Sequence, residues 1–423
     1  MTALPTIAYA GMTHLGLCSA VGAASKGFSI VAYAADSALV ANLDAGRLPV
    51  VEPDLDDLLA ANRARVRFTA DAARLAEADV IYVAPDVPTD DQGVSDLAPL
   101  DALLETVFAH TRPDAAIVVL SQVSPGYTRA RQRPGRILHY QVETLIFGRA
   151  VERATLPERF IVGCADPAAP LPPTLATYLA AFGCPILPMR YESAELCKIA
   201  INCCLVASVA VANTLGELCE RIGADWSDIA PALKLDRRIG PYSYLAPGLG
   251  LAGGNLERDL ATVCRLSDET GTDSGVVRAW IANSRYRKDW ALRTLHAEVL
   301  TQTANPTLAV LGLAYKEDTH STKNSPSLAL LAHLAPFDIR VYDPVVPASA
   351  APHAVTGAKD ALDACAGADA LLIMTPWKEF RALDAAAIAK TLRGRIVIDP
   401  YRVLDGAKVR AAGLRHLTLG VAG

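Results

Sequence analysis

A chain of 423 residues is too long for a single hydrophobic core and implies two or three domains. With 52% hydrophobic and 20% charged residues it fits a compact α/β protein and excludes intrinsic disorder. A net charge of −5 gives no electrostatic basis for holding nucleic acid or an anionic membrane. An anionic ligand must then be met by local basic residues and backbone N–H groups.

Apolar, β-rich runs recur at Thr6–Ala10, Ser29–Tyr33, Val80–Val83, Ala116–Leu120 and Phe160–Val162. Ala/Leu-rich stretches such as Asp54–Asn62 and Leu100–His110 separate them and read as helices. The alternation predicts a parallel sheet with crossover helices over residues 1–190. From Ser193 to Ile222 there is no proline and one internal glycine, Gly216, which predicts a long buried helix. Further helical pattern over Ala224–Leu233 and from Leu256 to Val299 makes residues 191–304 a helical middle domain. A second α/β alternation follows over 305–423, with strands expected at Leu308–Leu311, Ile339–Tyr342, Ala370–Met374 and Arg395–Ile398. The fold expected is α/β: two Rossmann-like parallel-sheet domains joined by a central helical domain.

The nine cysteines form no CxxC pair, and several lie in apolar stretches. Buried, reduced thiols in a cytoplasmic protein are expected, with no metal site. The N-terminus shows no basic region followed by a cleavage site, and no uninterrupted apolar stretch reaches the ~18–20 residues of a membrane span. Neither a membrane nor nucleic acid is expected as a partner.

The first strand leads into Gly11-Met-Thr-His-Leu-Gly16 and then an apolar helix, the place of a dinucleotide-binding turn. Gly11, Thr13, His14, Leu15 and Gly16 are the candidate cofactor contacts. Thr13 stands where a second glycine normally lets the phosphate approach the backbone. Ala34 stands where an adenosine-ribose carboxylate is expected, with Asp36 two positions late. Ala34 leaves NADP open, but no adjacent arginine favours it, so NAD is the expected cofactor. Lys198 and Asn202 share one face of the long helix at i, i+4. A lysine beside a reacting oxygen favours developing negative charge, and a desolvated lysine can act as a base.

The run from Pro247 to Leu260, Pro-Gly-Leu-Gly-Leu-Ala-Gly-Gly-Asn-Leu-Glu-Arg-Asp-Leu, resembles the catalytic loop P-G-x-G-x-G-G-x-C-x-x-K-D of the UDP-glucose/GDP-mannose dehydrogenases. Asn255 falls at the nucleophilic cysteine, Arg258 at the lysine and Asp259 at the aspartate. Tyr191–Asn202 is similar to the family's A-E-x-x-K-x-x-x-N helix, a pattern shared with 3-hydroxyacid dehydrogenases. Tyr140–Ala150 resembles P-E-F-L-R-x-G-x-A, which puts Glu143 at the glutamate that assists thioester hydrolysis and makes Thr144 and Leu145 substrate contacts. Val87-Pro88 and Ser121-Gln122-Val123 stand for T-P and S-T-V, so Val87 and Gln122 replace threonines near the nicotinamide. Asp236-Arg-Arg-Ile-Gly240 and Pro247-Gly248 match the segments leading into the loop, and the resemblance implies sugar-nucleotide contacts by Arg238, Tyr242, Tyr244 and Gly250. In Gly312–Pro326, similar to G-x-x-F-K-x-x-T-D-D-x-R-x-S-P, Lys316 would meet the substrate and Lys323 would stand for an arginine at the cofactor. Tyr342-Asp-Pro344, Thr375-Pro-Trp377 and Asp399-Pro-Tyr-Arg402 fit Y-D-P, T-x-W and D-x-R-N, with Arg402 a further substrate contact.

The resemblance covers nearly the whole chain and implies a homodimer through the central domain. It implies an NAD-dependent oxidoreductase acting on an alcohol of a sugar nucleotide, an NDP-hexose or NDP-heptose. Lys198 and Asn202 would hold the reacting oxygen, Asp259 would orient Lys198 or a water, and Asn255 could donate a hydrogen bond. An amide is no nucleophile, so the expected reaction stops at the aldehyde or ketone, or uses it as an intermediate for epimerisation. The alternatives are a complete 6-dehydrogenase making the uronate and a non-catalytic sugar-nucleotide binder.

Overall fold

A computed structural model describes residues 4–90 and 93–422. The chain divides into two compact units, Met1–Ile201 and Asn202–Gly423.

The first unit is built on eight strands: β1 Ile7–Ala10, β2 Ile30–Tyr33, β3 Val66–Thr69, β4 Val80–Val83, β5 Ala116–Val119, β6 Ile137–Gln141, β7 Phe160–Cys164 and β8 Ile186–Arg190. Their order is β3-β2-β1-β4-β5-β6-β7-β8. Pairing is parallel except between β6 and β7, where the all-parallel expectation is corrected. The central strands β1, β2, β4 and β5 are buried at every position, because helices cover both faces of a parallel sheet. Tyr9, Tyr82 and Tyr178 belong to one apolar core, and Tyr33, Phe108 and Tyr140 to another.

The helix Tyr191–Ile222 begins two residues earlier than its composition suggests and runs across the boundary between the units. At 32 residues it is about 48 Å long. Its most apolar 18-residue window has a mean hydropathy of 1.8, with 33% of that window buried. By length and composition alone it therefore meets the requirement for a membrane span that no stretch was expected to meet. Asn202, Ser208 and Asn213 interrupt the apolar run, which is why the sequence reads otherwise. It is also less buried than expected: Leu196, Val211, Leu215, Leu218 and Ile222 are exposed.

In the second unit the helical pattern continues as Trp226–Leu235, capped by Asp225, and then as three separate helices, Asn255–Thr270, Gly275–Lys288 and Trp290–Leu295. The first of these stops at Gly271, whose φ of 70° is the left-handed conformation that ends helices. Six parallel strands follow: β9 Thr307–Leu311, β10 Asp338–Tyr342, β11 Thr356–Gly357, β12 Ala370–Ile373, β13 Ile396–Ile398 and β14 Arg415–Leu417. Their order, β11-β10-β9-β12-β13-β14, is the doubly wound arrangement, and both sheets have it. The turn after β9 is filled from within. Asp343, at the end of β10, accepts from the N–H groups of Leu313 (2.6 Å), Ala314 (3.1 Å), Val345 and Val346, and from the Trp377 indole.

Candidate active site

In the first unit the corresponding place at the end of β2 is Ala34, which has no carboxylate to fill the turn after β1. Gly11 there has φ 97°, and a Cβ on it would lie 2.8 Å from the Pro85 nitrogen. A Cβ on Gly16 would lie 1.8 Å from the Gly11 carbonyl oxygen, so only glycine lets helix and turn meet this closely. The helix His14–Ser25 starts at this turn with no acidic residue in its first turn, leaving its positive end available to an anion. Thr13 does not cap that helix. Its hydroxyl accepts from the Asp86 N–H at 2.8 Å and ties the turn to the loop after β4. Leu15 is buried behind the turn. Asp36 acts elsewhere, capping the helix Ser37–Asp44 by accepting from the N–H groups of Ala38 and Leu39. Val87 packs against the apolar core, and Ser121, next to the half-buried Gln122, donates to the Pro85 carbonyl at 2.5 Å. Turn, helix end and close glycines fit a dinucleotide pyrophosphate.

Lys198 and Glu143 form an ion pair, Nζ to Oε1, at 2.6 Å, with the two side chains only 12% and 16% exposed. The other Glu143 oxygen accepts from the Leu145 N–H at 3.1 Å. Thr144 and Leu145 line a small cavity of about 40 Å³ with Glu143, Gln141 and Tyr178. Glu195, three residues before Lys198, is fully buried and accepts from the N–H groups of Gly126 (2.6 Å) and Thr128 (2.8 Å). Burial pushes its carboxyl above the usual range, against the pull of those hydrogen bonds. It anchors the start of the long helix and so sets where Lys198 stands.

Asn202, one turn beyond Lys198, begins the second unit. Its amide donates to Asp259 Oδ2 at 2.5 Å, and Arg258 Nε lies 3.3 Å from Asp259 Oδ1. All three residues are buried. Asp259, the residue expected to orient Lys198 or a water, thus has Asn202 on one carboxylate oxygen and Arg258 beside the other. Arg258, expected at the cofactor, has its guanidinium beside this carboxylate.

The loop before Asn255 is set by glycine. Gly250, Gly253 and Gly254 all have positive φ, and Cβ atoms on Gly250 and Gly253 would lie 2.4 Å from the Ser284 carbonyl oxygen and 2.8 Å from the Tyr315 ring. Asn255 is the exposed first residue of its helix. Lys323 lies against Gly254, and its carbonyl accepts from Gly253 N–H at 3.0 Å. The Lys316 ammonium lies 5.8 Å from the centre of the Tyr315 ring. Arg238 is paired with Asp236 at 2.6 Å and is well exposed, as are Tyr244 and Tyr242, the last at 90%. Arg402 donates to Asp225 at 2.9 Å and to Thr418 at 3.3 Å, contacts that hold the helix Trp226–Leu235.

Glu52 carries no signal in the sequence that marks it as functional, and its role appears only through partners far along the chain. Glu195 and Asp343 fall inside the A-E-x-x-K-x-x-x-N and Y-D-P segments, but their hydrogen-bond partners appear only in the fold.

Three domain models of one family match in order: the UDP-glucose/GDP-mannose dehydrogenase family's NAD binding domain over residues 5–170, its central domain over 192–285 and its UDP binding domain over 309–406. The chain is 31% identical to UDP-glucose 6-dehydrogenase of Pseudomonas aeruginosa, over 97% of this chain and 96% of that one. It is 27% identical to UDP-glucose 6-dehydrogenase TuaD of Bacillus subtilis, over 98% and 93%. Its structure is similar to that of a UDP-glucose dehydrogenase from Pyrobaculum islandicum, with a TM-score of 0.87 and 26% identity over 100% and 99% of the two chains. The chain belongs to the UDP-glucose/GDP-mannose dehydrogenase family, and is an NAD-dependent oxidoreductase of nucleotide sugars.

Proposed function

We propose that this chain oxidises one alcohol of a sugar nucleotide to the carbonyl and does not carry an aldehyde on to the uronate. The observation that carries this reading is Asn255 at the position where the family pattern has its nucleophilic cysteine. An amide nitrogen has its lone pair delocalised and cannot add to a carbonyl to give an acyl-enzyme. Cys203 is no substitute, since burial, and then the charge of Asp259, push its thiol up to about 11. At neutral pH that thiol is held in its protonated, non-nucleophilic form.

NAD, when bound at the Gly11–Gly16 turn, supplies the hydride acceptor. Lys198 stabilises charge developing on the reacting oxygen, and Asn202, held by Asp259, fixes that oxygen's position. Glu143, in contact with Lys198, can take up a proton relayed through the ammonium. Thr144, Leu145, Gly250, Arg238, Tyr242, Tyr244, Lys316 and Arg402 are assigned to the sugar nucleotide, and Val87, Gln122, Arg258 and Lys323 to the cofactor side. The test is the product mass and NADH yield across a panel of sugar nucleotides.

A second reading is favoured by Glu143, which keeps its place although no thioester needs hydrolysis. A C6 carbonyl acidifies the neighbouring C5–H. Deprotonation, reprotonation on the other face and return of the hydride would epimerise the sugar without net oxidation.

Binding of NAD carries its own expectation. Thr13 stands where the dinucleotide pattern has its second glycine, so NAD should either titrate weakly or be retained on purification, and if it titrates weakly Thr13→Gly should tighten it several-fold by calorimetry. A natural protein with neither retained nor titratable NAD(H) would not support the oxidoreductase reading. The exposed Leu196, Val211, Leu215, Leu218 and Ile222 on the long helix support a homodimer through the central domain. Sedimentation should give twice the 44.7 kDa chain mass, and Leu215→Glu with Leu218→Glu should halve it. Nine unpaired cysteines support a reducing, cytoplasmic setting.

A further inference from the structure

Glu52 lies between the helices Ser37–Asp44 and Leu55–Asn62 and is 4% exposed. Its carboxylate is where three distant stretches of chain meet. Oε1 lies 2.7 Å from His14 Nε2 and accepts from the Gly148 N–H at 2.9 Å. Oε2 accepts from Gly148 at 3.0 Å and from the Ala150 N–H at 3.2 Å. His14 is the first residue of the helix behind the dinucleotide turn, and its ring stacks on Phe147 with centroids 4.2 Å apart. The stretch Glu143–Ala150 therefore has Glu143, the partner of Lys198, at one end and the donors to Glu52 at the other. Between them, Arg153 holds the Thr144 carbonyl at 3.2 Å.

A carboxylate this buried has no water with which to replace a lost partner, so its donors move together or leave it unpaired. An anchor for the 148–150 backbone alone would need only the two amide donors. The His14 ring brings the dinucleotide turn into the same cluster. We propose that Glu52 is a positioning residue: through His14 it couples occupation of the Gly11–Gly16 turn to the placement of Glu143–Ala150, and so of Glu143 beside Lys198. Linkage makes the coupling reciprocal, so a ligand that orders the 143–150 stretch also tightens the turn on its cofactor. The proposal rests on the reading that NAD occupies that turn.

Hydrogen exchange with NADH as probe tests it. Saturating NADH should slow exchange in the peptide spanning residues 143–151 by about tenfold, the value of one hydrogen bond to a buried charge. His14→Phe keeps the stacking on Phe147 and the amide bonds to Glu52 but removes the bond between Glu52 and the turn. Compared at NADH saturation for each protein, so that any change in affinity is compensated, it should lose the protection of 143–151. Glu52→Gln, which retains one acceptor oxygen, should lose most of that protection while melting near the natural temperature. If the natural protein does not bind NADH, the cofactor reading itself fails. If it binds and 143–151 shows no protection, or the same protection in His14→Phe or Glu52→Gln, the coupling is wrong.

Discussion

Lys198→Ala should lower kcat by about 10²–10³, the usual cost of removing one electrostatic stabiliser of a reacting oxygen. KM for the sugar nucleotide should change little, because its phosphates and base are held by other groups. The substitution also strands Glu143, whose side chain is 16% exposed and would lose its cation. That could depress the rate through misplacement alone. The double variant Lys198→Ala, Glu143→Gln removes the stranded charge: a catalytic Lys198 predicts that it stays as slow as the single variant. Near-normal turnover of Lys198→Ala, or recovery in the double variant, would reject the assignment.

How much of this was legible in the residues depends on how local each signal is. The strands β1, β2, β4 and β5 are continuous apolar runs buried on both faces, and they stand out. β6 reads Ile-Leu-His-Tyr-Gln, and its two polar side chains are buried in the fold, so its composition hides it. β8 contains Pro188, tolerated because this is an edge strand paired only with β7. β11 and β14 are two and three residues long, too short to register as a pattern. Within the site, Lys198 and Asn202 were readable because one helix fixes their spacing. Glu52 was not, since its partners lie 38, 96 and 98 residues away. The ion pair of Lys198 with Glu143 joins residues 55 positions apart, a proximity that neither motif carries alone. The bond from Asp259 to Asn202 depends on how the helix Asn255–Thr270 is set, a tertiary fact no motif carries.

The natural protein should release at most one NADH per sugar nucleotide consumed, and none if it epimerises. The second oxidation requires an atom that adds to the aldehyde and then holds the acyl group, and Asn255 offers only a conjugated amide. Cys203→Ala should leave the stoichiometry unchanged, because that thiol stays protonated at the assay pH. Asn255→Cys is the informative gain-of-function variant. Residue 255 opens the helix Asn255–Thr270, where the helix dipole lowers a thiol pKa. Arg258 adds less than its nearness in sequence suggests, since its guanidinium lies beside Asp259. The variant should therefore alkylate at residue 255 with iodoacetamide below pH 8, showing that a thiolate is in place. Uronate formation is a harder demand, because Val87 and Gln122 also stand where the family has threonines near the nicotinamide. The decisive number comes from the natural sequence. A sugar-nucleotide uronate with two NADH per turnover would mean that Asn255 serves the full reaction, and single oxidation would have to be abandoned.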